Sequence, residues 1–231
     1  LQFTQEPRPI LLNAIAERSV SVKTAMVWGA NGGIGTALVK RLMEEGWTVV
    51  GVARQPESVS YSPSHLVVAD VADATSVQEA VEQAMDLAST IDLWIYAVGD
   101  IASAKVEAMS PQEWHRILDA NLGGAYLAAH YSLPLLARDA HIFLLGAVSE
   151  RLRLPGLSAY AAAKAGIEAF ADVLRKEQRG RRVSVVRPKA VKTPIWDKVP
   201  FSMPKGALRP EAVADRLLAA YQEGHRGSLD L

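Results

Sequence analysis

Cysteine is absent from this 231-residue chain, which removes disulfides, thiolate nucleophiles and cysteine-built zinc sites from consideration. An excess of one charge is absent too. Lys and Arg number 25 against 25 Asp and Glu, so no net field draws the chain to nucleic acid or to an anionic membrane surface. No apolar run approaches the roughly 20 residues needed to cross a bilayer, and the N-terminus lacks the basic-then-apolar pattern of a secretory signal. Five histidines are present, none in a spacing such as H-E-x-x-H that suits a metal. These absences predict a cytoplasmic protein with no metal, no membrane and no nucleic-acid partner. The basic run from Arg175 to Arg182 does not change that expectation, because cations at a helix C-terminus are accounted for by the helix dipole.

Apolar residues make up 49% of the chain, enough to bury one substantial core. Short apolar runs alternate with amphipathic stretches along the whole length. Strands are predicted at 24–28, 48–53, 65–69, 93–97, 141–145, 183–187 and 228–231, and helices at 33–45, 76–88, 111–136, 158–178 and 210–222. Such alternation predicts an α/β fold, a single-domain, doubly wound, Rossmann-like, mostly parallel sheet with helices on both faces. A ligand site should then lie beyond the C-terminal ends of the strands. The domain is read as 23–231. Residues 1–22 form an N-terminal extension in which Ile10, Leu11, Leu12 and Ile15 make either a short amphipathic helix against the sheet edge or a disordered arm.

Two segments carry chemistry. The first runs from a short apolar strand through Gly29-Ala30-Asn31-Gly32-Gly33-Ile34-Gly35 into a helical period at Leu38, Val39, Leu42 and Met43. A strand, a tight glycine turn and a helix in that order aim backbone N–H groups and a helix N-terminus at a phosphate, and side chains in the turn would block the approach. The spacing is G-x-x-x-G-x-G rather than G-x-G-x-x-G, and no Lys-Ser/Thr follows to make a nucleoside triphosphate loop. The second segment is Ser158-Ala159-Tyr160-Ala161-Ala162-Ala163-Lys164, which sets a phenol and an ammonium one helical turn apart on one face. The expected effect of the ammonium is to lower the phenol's pKa and fit it for proton transfer.

Together these segments resemble the short-chain dehydrogenase/reductase family, from about residue 23 to the C-terminus. Gly29, Gly33 and Gly35 match the family's glycine motif, and Tyr160-x-x-x-Lys164 its active-site pair. Asn121 falls where the family carries a catalytic asparagine. Asp70-Val71 matches its adenine-contacting pair, and Pro188 through Thr193 its segment beside the nicotinamide, with Lys189 in place of a glycine. The resemblance implies hydride transfer between C4 of a nicotinamide and a small-molecule carbonyl or alcohol substrate. Tyr160 is then the proton donor or acceptor, Lys164 its partner, and Asn121 the holder of a water. It also implies cofactor contacts from Gly29, Asn31, Gly33, Ile34, Gly35, Asp70, Val71, Ala97, Gly99, Tyr160, Lys164, Pro188, Val191 and Thr193.

Two departures from the family pattern stand out. Ala147 occupies the position of the catalytic serine. Ser149, two residues on, either substitutes from the same side of an extended strand or is a plain loop residue. Tyr96-Ala97-Val98-Gly99 replaces Asn-Asn-Ala-Gly. Two functional readings therefore stand: an NADP(H)-dependent carbonyl reductase with an altered substrate-oxygen site, or an NADP(H)-binding pseudoenzyme acting as sensor or scaffold. NADP(H) is favoured over NAD(H) because the stretch after the second strand, Val52-Ala53-Arg54-Gln55-Pro56, holds no acid for a ribose 2′-hydroxyl and offers Arg54 to a 2′-phosphate.

The resemblance implies a homodimer or homotetramer paired through the alanine-rich helix at 158–178 and the long one at 111–136. Trp196, Val199, Phe201 and Met203, after Thr193, either line an apolar pocket or pack a lid onto the body.

Overall fold

The computed structural model describes residues 22–58, 63–148 and 152–231. The predicted helix around Ile10–Ile15 and the proposed stand-in Ser149 lie outside the described residues. Seven strands form one sheet: β1 (Thr24–Trp28), β2 (Thr48–Ala53), β3 (His65–Val68), β4 (Ile91–Tyr96), β5 (Leu136–Leu145), β6 (Arg182–Arg187) and β7 (Gly227–Asp230). Their spatial order is β3-β2-β1-β4-β5-β6-β7. Every neighbouring pair is parallel, so the sheet is wholly rather than mostly parallel. The order reverses between β1 and β4, the switch point at which open α/β sheets bind ligands.

Period-two alternation divides β1 between two cores. Ala25 and Val27 face α1 (Gly33–Glu44) and α6 (Pro210–Gln222), where Leu38, Leu42, Val213 and Leu217 are fully buried. Met26 and Trp28 face the opposite layer, built from α2 (Ala74–Leu87), α4 (Gly124–Ser132) and α5 (Ser158–Glu177). A leucine buried to this degree contributes roughly 1.5–3 kcal/mol. Both faces of the sheet are thus covered, as a parallel sheet requires.

The helix predicted over 111–136 is not continuous. It divides into α3 (Pro111–Leu118), a π-helical turn (Asp119–Gly123), α4 and a short 3₁₀ turn (Leu133–Leu135). Three features accompany the break, one of them distant in sequence. Asn121 Nδ2 bonds back to Ile117 O at 2.8 Å, the Tyr96 hydroxyl donates to Ala120 O at 2.7 Å, and Gly123-Gly124 offers little resistance to unwinding. β5 also begins five residues earlier than predicted, because Leu136 pairs with Ile91 across a register shift. The Arg181 guanidinium fixes that entry by donating to the carbonyls of Leu133, Leu136 and Ala137.

Candidate active site

The glycine turn leaves β1 at Gly29, whose φ of +82° places it in the region that favours glycine. Gly29 N and Ala30 N both donate to Val52 O, at 2.8 and 3.0 Å, locking the turn to β2. A Cβ on Gly35 would stand 1.9 Å from Gly29 O, and one on Gly33 would stand 2.7 Å from Thr193 Cγ2. The glycines therefore let the turn fold onto itself and let the segment after β6 close against it. Helix α1 starts with Gly32 at its N-cap and has no side chain bonded to its first-turn N–H groups. α2 and α3, in contrast, are capped by Asp73 and Ser110. An uncapped N-terminus keeps its donors for something outside the helix.

A cavity of about 620 Å³ lies in front of this turn, at the C-terminal end of the sheet. Of the predicted site residues, Gly29, Asn31, Arg54, Asp70, Val71, Ala97 and Gly99 line it. Gly33, Ile34 and Gly35 sit behind the turn, with the Ile34 side chain packed into the α1/α6 core. Thr193 reaches the turn from the far side through its contact with Gly33. Pro188 follows β6 directly, and Val191 is buried in a bridge to Leu208.

Behind Gly99 the predicted catalytic groups converge. Gly99 is the gap they share, since a Cβ there would lie 3.1 Å from Asn121 Oδ1 and 3.8 Å from Lys164 Nζ. Asn121 is fully buried in the π turn. Its Nδ2 donates to Asp100 O at 2.7 Å and to Ile117 O at 2.8 Å, while Oδ1 has no partner among the described residues. A buried acceptor without a donor costs about 1–3 kcal/mol, so it marks a position where a polar group belongs. Lys164, 4% exposed, donates to Leu145 O at 2.8 Å, and its Nζ lies 5.5 Å from the centre of the Tyr160 ring. Ala147 is buried two residues beyond the end of β5 and brings no hydroxyl.

The electrostatics correct one expectation. Burial pushes the Tyr160 phenol up to about 12 and the Lys164 ammonium down to about 8. Lys164 was expected to lower the phenol, but the ring is partly desolvated and the Lys164 hydrogen bond goes to the Leu145 carbonyl, so burial dominates both groups. At neutral pH the arrangement therefore presents a protonated phenol, which is an acid rather than a base.

Sequence reasoning missed two features. Asp100, next to Gly99, accepts from Arg116 of α3 and, at 2.7 Å, from Lys198 of the segment after β6. Within that segment the Trp196 indole N–H donates to Val191 O at 2.8 Å. An acid directly after the Tyr-Ala-Val-Gly stretch was the visible signal for Asp100, whereas nothing local announces Lys198.

Chemically, the cavity suits a dinucleotide. Its volume falls within the roughly 300–1,000 Å³ of ligand sites, its turn is cleared of side chains, an uncapped helix start faces outward, and an orphaned acceptor sits beside a lysine. Comparison with known proteins agrees. Residues 23–202 match the family model described as short chain dehydrogenase. An uncharacterized oxidoreductase of Schizosaccharomyces pombe is 30% identical over 215 residues, covering 91% of this chain and 80% of its own. The alcohol dehydrogenase of Thermococcus sibiricus complexed with 5-hydroxy-NADP superposes with a TM-score of 0.83 at 22% identity, covering 91% of this chain and 96% of that one. The 3-ketoacyl-(acyl-carrier-protein) reductase of Brucella melitensis complexed with NADH gives 0.82 at 24% identity, with coverage of 90% and 96%. The last two share the fold.

Proposed function

The chain belongs to the short-chain dehydrogenase/reductase family of oxidoreductases, and from that premise we propose that it is an NADP(H)-dependent carbonyl reductase acting on a small-molecule substrate. The observation that carries this reading is the convergence of Asn121, Lys164 and Gly99 behind a glycine-lined cavity, with Tyr160 one turn away held as a protonated phenol. Gly29, Asn31, Gly33, Ile34, Gly35, Asp70, Val71, Ala97, Gly99, Pro188, Val191 and Thr193 would hold the dinucleotide, the turn and α1 through their N–H groups. A nicotinamide bound there supplies the hydride.

Tyr160 delivers its proton to the oxygen of the reduced carbonyl, leaving phenolate. Lys164, which stays charged below about pH 8, stabilises that phenolate. Asn121 Oδ1 takes a donor, a water in this reading, that returns a proton toward Lys164. The protonated phenol favours reduction over oxidation, since an acid is what a developing alkoxide needs. The pH sign follows: reduction holds through neutrality and falls as pH rises past about 8, when Lys164 loses its charge.

Cofactor preference rests on charge, because the fold relatives named above hold both kinds of dinucleotide. Arg54 is exposed on the cavity wall at the end of β2, with no carboxylate beside it in Val52-Ala53-Arg54-Gln55. Pairing of copies into a homodimer or homotetramer belongs to the same reading. Tyr126 of α4 and Val173 of α5 are each about half exposed (51% and 52%) on the faces that would meet. Sedimentation of a species larger than one chain is the expected result.

The deciding experiment is NADPH consumption against a panel of carbonyl compounds, with Tyr160→Phe beside the parent. Turnover abolished by Tyr160→Phe is expected. One observation favours a second reading, a nucleotide-binding pseudoenzyme: Ala147 stands where a hydroxyl should hold the substrate oxygen. Heat stabilisation by NADPH with no turnover on any substrate would favour it.

A further inference from the structure

Three cations meet on the rim of the cavity: Arg54 from the end of β2, Arg116 from α3 and Lys198 from the segment after β6. A single carboxylate serves two of them. Asp100 Oδ1 accepts from Lys198 Nζ at 2.7 Å and Oδ2 accepts from Arg116 Nη1. Arg54 has no ion pair among the described residues. Asp70 and Asp119 also line the cavity, but neither pairs with any of the three, and Asp70 Oδ1 accepts from Ala72 N at 3.0 Å in its own turn. The crowding of like charge is felt at Lys198. Its ammonium is held below its ordinary pKa, first by desolvation and then by Arg116 and Arg54.

The Asp100 side chain is 16% exposed, whereas that of Lys198 is 55% exposed. Lys198 can therefore exchange one anion for another by rotating a solvated stem, without breaking a buried contact. A pair with so exposed an ammonium is screened by solvent, so it holds Lys198 near the cavity without fixing it there.

We propose that Lys198, with Arg54 and Arg116 beside it, forms a phosphate-binding site over the cavity, in which phosphate oxygens displace Asp100 as the partner of the Lys198 ammonium. This rests on the dinucleotide reading above. Two of the three cations share one carboxylate and Arg54 pairs with none among the described residues, so a phosphate with its several acceptor oxygens finds donors there for charge-assisted bonds. Asp100 is the internal counter-anion that parks Lys198 and Arg116 between binding events, and it competes with the ligand for them. Two phosphate sources fit the chemistry: the pyrophosphate common to both dinucleotides, and the 2′-phosphate found only on NADP(H).

The test is fluorescence titration of the full chain with NADPH, NADH and inorganic pyrophosphate, at low and high salt, for the parent, Lys198→Met and Asp100→Asn. Lys198→Met should weaken nucleotide binding roughly tenfold, the scale of one charge-assisted contact, and flatten its salt dependence. Asp100→Asn should strengthen it. Equal loss for both nucleotides in Lys198→Met assigns the site to the pyrophosphate, and loss confined to NADPH assigns it to the 2′-phosphate. Unchanged nucleotide affinity in Lys198→Met, or no gain in Asp100→Asn, overturns the proposal while leaving the dinucleotide reading intact. A parent protein that binds neither nucleotide overturns that reading instead. Pyrophosphate then decides the site: binding that Lys198→Met abolishes supports it, and no binding overturns it.

Discussion

The two ends of the parallel sheet treat buried polar groups differently. At the N-terminal end, His141 and Ser184 are fully buried and bonded to each other: His141 Nε2 meets Ser184 Oγ at 2.9 Å, and Ser184 Oγ donates onward to His225 O at 3.1 Å, while His141 Nδ1 has no partner among the described residues and neither residue lines the cavity. Arg181 spends three donors on the carbonyls that start β5. At the C-terminal end, Asn121 and Lys164 are buried just as deeply, and there the atom without a partner among the described residues, Asn121 Oδ1, faces with Lys164 the gap at Gly99 beside the cavity. Burial alone does not mark a site. Burial with capacity left over, beside a cavity, does.

Breaking the C-terminal end at its backbone should have the largest effect. Gly35→Ala sets a methyl 1.9 Å from Gly29 O, a backbone atom that cannot step aside. Calorimetric titration should show no measurable NADPH binding, and the melting temperature should fall as well. Binding that survives within a few-fold would show that the turn does not hold the dinucleotide.

Next is the chemistry. Tyr160→Phe leaves the ring in its packing against the cluster of Ala102, Ile117 and Ala159 but removes the acid, so turnover should fall ~10²–10⁴-fold with NADPH affinity unchanged. Ala147→Ser runs the other way. Restoring a donor for the substrate oxygen should raise kcat by up to ~10²–10³-fold. A null result there would mean that another group already holds the oxygen.

These variants also divide what was legible in the sequence from what was not. The order of strands and helices was readable because β1 alternates between two cores and α1 and α6 carry clean apolar faces. The glycine turn and Tyr160-x-x-x-Lys164 were readable because their chemistry is local. The π turn at Asn121 was not. One of its causes is a hydroxyl 24 residues away, Tyr96 on Ala120 O, and no periodicity within 111–136 reveals it. Lys198 and Asp100 are 98 residues apart and meet only because β4 and the segment after β6 end on the same side of the sheet. The phenol's raised pKa was missed for a related reason: spacing puts Lys164 beside Tyr160 but says nothing about how dry the pair is.

The N-terminal end offers a smaller and purely structural effect. His141 is held down to about 3, first by burial and then by Arg182, His225 and Arg226. A histidine in the unfolded chain takes its proton near 6.5. Between those values the unfolded chain binds more protons, so the stabilisation is complete above about pH 6.5 and drains away as pH falls toward 3. The slope approaches about 1.4 kcal/mol per pH unit at most. Urea denaturation between pH 7 and 5 should show it, and His141→Gln should flatten it by removing the titrating group. A slope unchanged in His141→Gln would place the acid sensitivity elsewhere.

The smallest expected effect joins the two halves of the comparison. Tyr96 is fully buried, stacked on Trp94, and stands where the family pattern has asparagine. Its hydroxyl donates to Ala120 O, one residue before Asn121, and Gly124 makes room for it, since a Cβ there would lie 2.6 Å from that oxygen. Tyr96→Phe keeps the ring and loses the bond, costing about 1 kcal/mol of stability. If the hydroxyl only fills the core, kcat should not move. If it holds the π turn that points Asn121 Oδ1 toward Lys164, kcat should drop several-fold while the affinity for NADPH stays put. That split, measured in one variant, would show whether the tyrosine took over the positioning once left to an asparagine.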